Sequence, residues 1–189
     1  MQLYGLCDQD LLDSKALSLE RFVELCIKKD AKVIQYRNKS GDLNYIKSSL
    51  IKLRKLYDGF LIINDYYELV ELCDGVHLGQ DDLLDIDKDG QKAISSLKSY
   101  IGKDKLIGLS THNKDEILKA NSLELNYIGL GAYRATTTKL DTSNILGDKL
   151  DELASLSTHP VVAIGGIRFS DKFKYVKYVA MGSAIVNED

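Results

Sequence analysis

Two short segments concentrate side chains suited to binding anions. In Ile34-Gln35-Tyr36-Arg37-Asn38-Lys39 the alternation of an extended strand puts Gln35, Arg37 and Lys39 on one face. The planar fork of Arg37 beside the compact charge of Lys39 suits a group with several phosphoryl oxygens. The plainer reading is a strand end with both cations in water. Further along, Tyr127-Ile128-Gly129-Leu130-Gly131 opens into Ala132-Tyr133-Arg134-Ala135-Thr136-Thr137-Thr138-Lys139. Three hydroxyls followed by a lysine make a nest of neutral donors and one cation, although threonines also fill ordinary turns.

Carboxylates follow two other apolar runs, at Asn64-Asp65 and in His77-Leu78-Gly79-Gln80-Asp81-Asp82. Acidic groups so placed can hold Mg²⁺ while substrate phosphates and waters complete its shell. Asp65 serves equally well as the N-cap of a helix starting at Tyr66. In Gly108-Leu109-Ser110-Thr111-His112-Asn113, Ser110 or Thr111 can donate to an anion and Asn113 suits a helix cap; His112 reads as a loop residue. The glycines of Ala163-Ile164-Gly165-Gly166-Ile167 and Met181-Gly182-Ser183-Ala184 allow a phosphate to approach backbone N–H groups, or else allow close packing. No serine, histidine and carboxylate are spaced as a nucleophile elbow, and no histidine pair has metal spacing.

The elements that must position these groups are legible as short apolar runs: Leu3–Cys7, Lys32–Arg37, Phe60–Asn64, Gly75–Leu78, Leu106–Ser110, Tyr127–Leu130, Val161–Ile164 and Tyr178–Ala184. They are rich in Val, Ile and Leu and bounded by turn residues, as buried parallel strands are. Amphipathic stretches alternate with them: Ala16–Lys29, Tyr45–Tyr57, Tyr66–Cys73, Lys92–Tyr100, Lys114–Ser122, Asp148–Leu156 and Asp171–Lys177. Strict βα alternation predicts an α/β chain, a single (βα)8 TIM-barrel domain over 1–189, in preference to an open doubly wound sheet. Cys7-Asp8-Gln9-Asp10 offers none of the glycines a dinucleotide-binding turn needs. The barrel is a shortened one, since its 189 residues lie below the usual span of about 200 to over 400. Only Ile185 and Val186 to Asp189 follow the eighth run, so the final helix is expected to be missing and its docking surface exposed or covered by a partner subunit.

A net charge of −3, from 25 basic and 28 acidic residues, gives no global reason to bind nucleic acid. No apolar run is long enough for a bilayer, and Met1–Cys7 lacks a basic leader, so the expectation is a cytoplasmic chain acting on small molecules. Cys7, Cys26 and Cys73, odd in number and set among apolar neighbours, read as buried thiols.

In these motifs the sequence resembles the thiamine-phosphate synthase/TenI family. The segments that carry the likeness are Gln35 to Lys39, Asn64-Asp65, Asp74 to Asp82, Gly108 to His112, Gly129 to Lys139 and Ala163 to Ile167, in the family's order along nearly the whole chain. The resemblance implies a transferase that joins hydroxymethylpyrimidine diphosphate to a thiazole phosphate, releasing pyrophosphate. It implies that Gln35, Arg37, Lys39, Asn64, Ser110 and Lys139 cradle the pyrimidine diphosphate, with Arg37, Lys39, Ser110 and Lys139 catalytic. Asp65 and Asp82 would bind Mg²⁺, and Thr136, Thr137, Thr138, Gly166, Gly182 and Ser183 the thiazole phosphate. Asp81 falls where the family has another acidic residue. Ala132 and Ala135 stand where the synthases commonly have proline, and Gly131-Ala132-Tyr133 lacks the histidine of the tautomerase branch. A thiazole tautomerase and a non-catalytic phosphate-binding relative remain the alternatives, and the bare end after the eighth strand suggests a homodimer.

Overall fold

The strands close into a barrel because each is a run of aliphatic residues that needs cover on both faces. A computed structural model describes residues 1–39, 41–135 and 145–187. The strands are β1 (Gln2–Asp8), β2 (Val33–Arg37), β3 (Phe60–Asn64), β4 (Gly75–Leu78), β5 (Leu106–Thr111), β6 (Tyr127–Leu130), β7 (Val161–Ala163) and β8 (Tyr178–Met181). All pair in parallel in sequence order, and β8 returns to β1 with Gln2 opposite Tyr178. This is the expected eightfold barrel, and β3, β4 and β6 have the expected bounds.

The connections are α1 (Gln9–Ser14) and α2 (Leu19–Lys28), then α3 (Leu43–Leu56), a 3-10 turn at Tyr67–Leu72, α4 (Gln80–Ile86), α5 (Gly90–Ile101), α6 (Lys114–Ala120) and α7 (Lys149–Ala154). Side-chain caps start most of them: Asp8, Ser18, Asp42, Asp89 and Asn113 each accept a backbone N–H of the first turn. The α3 helix buries Ile46, Leu50 and Leu53 completely, and each such side chain contributes roughly 1.5–3 kcal/mol. Among the described residues no helix is long and apolar enough to cross a membrane.

Three local expectations change. Asp171–Lys177 is not helical, because its backbone donors are satisfied by a side chain from another element: Lys174 and Tyr175 N–H groups bond the Asp151 carboxylate at 2.9–3.1 Å. The stretch after Asp65 forms a 3-10 turn with no side-chain cap, so Asp65 is not a cap. The last apolar run ends its strand at Met181, and a single turn, α8 (Ser183–Val186), follows and buries Ile185.

Strand alternation sorts the core into two sets. Leu3, Cys7, Ile34, Tyr36, Leu61 and Ile63 belong to the outer core that packs against the helices. Tyr4, Val33, Ile62, Tyr127, Val162 and Ala180 form a separate cluster inside the barrel. The cysteines are free and buried, and burial pushes Cys26 and Cys73 up to about 12, which leaves them inert.

Inside the barrel, Tyr127 crosses the lumen to Tyr4, with 3.0 Å between the hydroxyls. Glycine at position 108 makes that crossing possible, since a Cβ there would collide with the Tyr127 ring. Gly108→Ala is therefore expected to lower stability by about 1–3 kcal/mol, the usual cost of overpacking a filled core. Urea unfolding checks it: an unchanged midpoint would show that the ring moves freely.

Candidate active site

At the C-terminal mouth of the barrel the inward-facing positions turn polar and enclose one cavity. Behind the cavity wall lies Asp8, the last residue of β1, which is only 2% exposed. One carboxylate oxygen accepts the Leu11 N–H at 3.1 Å and begins α1, while the other pairs with Arg37. Strand register places Asp8 directly opposite Arg37, so the ion pair is a consequence of β1–β2 pairing. It holds one guanidinium nitrogen, and Arg37 still lines the cavity.

Gln35, two residues earlier on the same face of β2, also lines the cavity and is nearly fully buried. Its Nε2 has no hydrogen-bond partner among the described residues. A buried amide donor left unpaired costs about 1–3 kcal/mol, so this position is built to meet an acceptor that arrives with a ligand. Asn64, at the end of β3, and the exposed Lys39 complete this side of the mouth.

Asp65 and Asp82 come together from the ends of β3 and β4. Asp82 accepts the Gly79 N–H at 2.8 Å, which fixes it on the first turn of α4. Burial, and then the neighbouring Asp82 charge, push the Asp65 carboxyl up to about 6, with Lys39 and Arg37 pulling the other way. Asp81 is exposed and lies outside the cavity lining.

On β5, Ser110 faces the cavity and its Oγ lies 2.9 Å from His77 Nε2. Gln80 donates to the Ser110 carbonyl at 2.6 Å. Thr111 is turned away in hydrogen bonding: its hydroxyl donates to the Gly129 carbonyl at 2.9 Å. His112 is tied to Glu116 at 2.9 Å, and Asn113 caps α6 as expected.

Across the mouth, Gly165 and Gly166 adopt φ of +93° and +61°, and a Cβ on either would strike the segment at Ala132 and Arg134. Arg134 locks that approach with two bonds to Asp171, at 2.6 and 2.8 Å, and one to the Gly166 carbonyl at 2.9 Å. Gly166, Gly182 and Ser183 line the same cavity as Arg37 and Asp65. Thr136, Thr137, Thr138 and Lys139 lie outside the described residues.

Comparison with known proteins now bears on this cavity. The family described as thiamine monophosphate synthase matches residues 3–188. The chain belongs to that family. It is 37% identical over 198 aligned positions to a thiamine-phosphate synthase of Persephonella marina, covering 100% of this chain and 90% of the relative. It is also 37% identical to one from Lawsonia intracellularis, covering 96% and 85%. Among solved structures it is similar to thiamine phosphate pyrophosphorylase from Pyrococcus furiosus, with a TM-score of 0.80 and 25% identity, covering 100% of this chain and 89% of that one.

As a member of the thiamine monophosphate synthase family, the chain gathers Gln35, Arg37, Lys39, Asn64, Asp65, Asp82, Ser110, Gly166, Gly182 and Ser183 in one place. Sequence reasoning passed over Asp8 and Gln80, and gave His77 no role. For Asp8 the available signal was parity: it follows Tyr4 and Leu6 on the inward face of β1. The carboxylate pair fits a divalent cation that keeps waters and takes further oxygens from phosphate. Burial and the Asp82 charge raise the proton affinity of Asp65, and no group of three His, Cys, Asp or Glu ligands exists among the described residues.

The raised proton affinity of Asp65 ties stability to pH. Its folded form holds a proton more tightly than the unfolded chain, so its contribution to stability is full below about pH 4 and is lost as pH rises through about 6. Asp65→Asn should remove that loss, making the variant's melting temperature gain on the parent's between pH 4 and 7 in metal-free buffer. Parallel pH profiles for the two proteins would contradict it.

Proposed function

We propose that this chain works as a thiamine-phosphate synthase, a transferase of thiamine biosynthesis, by positioning and electrostatics. The observation that carries the reading is the convergence, in a chain matched by the family along its length, of two cations, a buried unpaired amide and two carboxylates at one barrel mouth. The substrates are hydroxymethylpyrimidine diphosphate and a thiazole phosphate. The bond between the pyrimidine methylene carbon and the diphosphate oxygen breaks, with its electron pair leaving on pyrophosphate. The electron-rich pyrimidine stabilises the resulting cation, and the thiazole nitrogen then forms the new C–N bond.

Arg37 and Lys39 neutralise the diphosphate, Gln35 and Asn64 donate to it, and Ser110 borders the pyrimidine side. Asp65 and Asp82 hold Mg²⁺, which when bound supplies further neutralisation of the diphosphate oxygens. Lys139 joins the diphosphate cradle, and Thr136, Thr137 and Thr138 with Gly166, Gly182 and Ser183 take the thiazole phosphate. No protein nucleophile is needed, because the leaving group departs without one. The enzyme acts in the cytoplasm, as a homodimer that covers the flank beside α8. A monomer in sedimentation at micromolar concentration would refute the dimer.

Purified protein given both substrates should form thiamine phosphate and pyrophosphate with Mg²⁺ and neither product in excess chelator. Absence of product at every Mg²⁺ concentration would overturn the reading. Arg37→Ala should lower kcat by about 10²–10³, the scale for one lost electrostatic donor.

A further inference from the structure

A line of hydrogen bonds runs up the inside of the barrel from its floor to the cavity. Tyr4 and Tyr127 hydroxyls are 3.0 Å apart, Tyr127 lies 3.1 Å from His77 Nδ1, and His77 Nε2 lies 2.9 Å from Ser110 Oγ. The Tyr127 and His77 rings are stacked, with centroids 5.5 Å apart. Two glycines make room for the line. A Cβ at Gly108 would enter the Tyr127 ring, and one at Gly129 would sit 3.1 Å from His77 Cε1.

The four groups hold four protons when the imidazole is neutral, and they form three links. One proton must therefore leave the line at an end. Burial holds both phenols well above their ordinary value, so neither surrenders its proton to the line. At the lower end the Tyr4 hydroxyl bonds Tyr127 alone among the described residues, in a floor of Val33, Ile62, Val162 and Ala180. A proton directed there would be a buried donor without an acceptor. At the upper end Ser110 faces the polar cavity.

We propose that the Tyr4–Tyr127–His77 line is a positioning device that fixes the direction of the Ser110 hydroxyl. Tyr4 donates to Tyr127, Tyr127 donates to Nδ1 of His77, Nε2–H donates to Ser110 Oγ, and the Ser110 proton is presented to the substrate. Tyr127, and His77, which itself borders the cavity, thus act on the reaction through Ser110. The inference rests on the synthase reading and adds to it a set polarity for one donor.

A double-mutant cycle on the Mg²⁺-supplied full chain tests it, with kcat and KM measured for thiamine phosphate formation. His77→Phe should lower kcat about tenfold with KM changed less than about twofold, the size of one oriented hydrogen bond made in the transition state. In a Ser110→Ala background the same substitution should change kcat by less than about twofold. His77→Gln, which keeps an N–H at the Nε2 position, should lose less than His77→Phe. Tyr127→Phe, which keeps the ring and frees the imidazole tautomer, should lower kcat in the parent and not in the Ser110→Ala background. Additive losses in the cycle would overturn the device, as would a Ser110→Ala enzyme with parental kcat. If His77→Phe fails to fold, or Ser110→Ala is too slow to assay, the kcat of His77→Gln and Tyr127→Phe decides: parental values for Tyr127→Phe overturn it. A parent that forms no thiamine phosphate would instead sink the synthase reading, so the two failures are distinct.

Discussion

Eight parallel strands closed on themselves leave an interior that only their own side chains can fill, and alternate residues have no choice but to enter it. Everything at the mouth of this barrel depends on how that interior is occupied. Two tyrosines reach across the lower lumen where glycine gives them space, and their hydroxyls demand partners because both side chains are buried. His77 supplies the next partner and Ser110 the last. A packing requirement at the floor is in this way converted into an oriented polar group at the rim.

The rim follows the same logic of forced neighbours. Parallel pairing sets Asp8 beside Arg37, so the cation is held in place by a buried partner before any substrate arrives. Asp65 and Asp82 are brought together by adjacent strands in spite of their repulsion, and burial together with that neighbouring charge raises the proton affinity of Asp65. The site gathers an amide without an acceptor among the described residues, a carboxylate pair at close quarters and cations at the entrance. On the proposed reading, a substrate carrying many oxygens together with a divalent ion would relieve each of these. Net charge contributes little to that preference, since the chain as a whole is slightly acidic.

Much of the molecule was readable from short-range pattern. Period-two alternation and aliphatic runs located all eight strands, three of them to the residue, because a strand buried on both faces has little freedom in composition. Placing Gln35, Arg37, Asn64, Asp65, Ser110 and Gly166 at strand ends was enough to expect them at one mouth, since parallel strands of a barrel all end there. Helices were harder. The α1 turn depends on Asp8, whose side chain also holds Arg37, and the stretch at 171–177 is kept from helix by Asp151, distant in sequence. Local propensity has no access to either contact.

By itself the sequence determined the βα order, the direction in which the polar residues point and the family to which they belong, because these follow from period, spacing and motif order. Tertiary structure alone decided which polar groups have partners. Asp8 was an unremarked residue until β1 lay beside β2, and His77 was one member of a motif until β4, β5 and β6 closed around it. Hydrogen bonds and ion pairs act over a few ångströms, between residues that chain order separates by 29, 33, 50 and 123 positions here. Distance along the chain says nothing about distance across the barrel, and the chemistry of this site is set by the second.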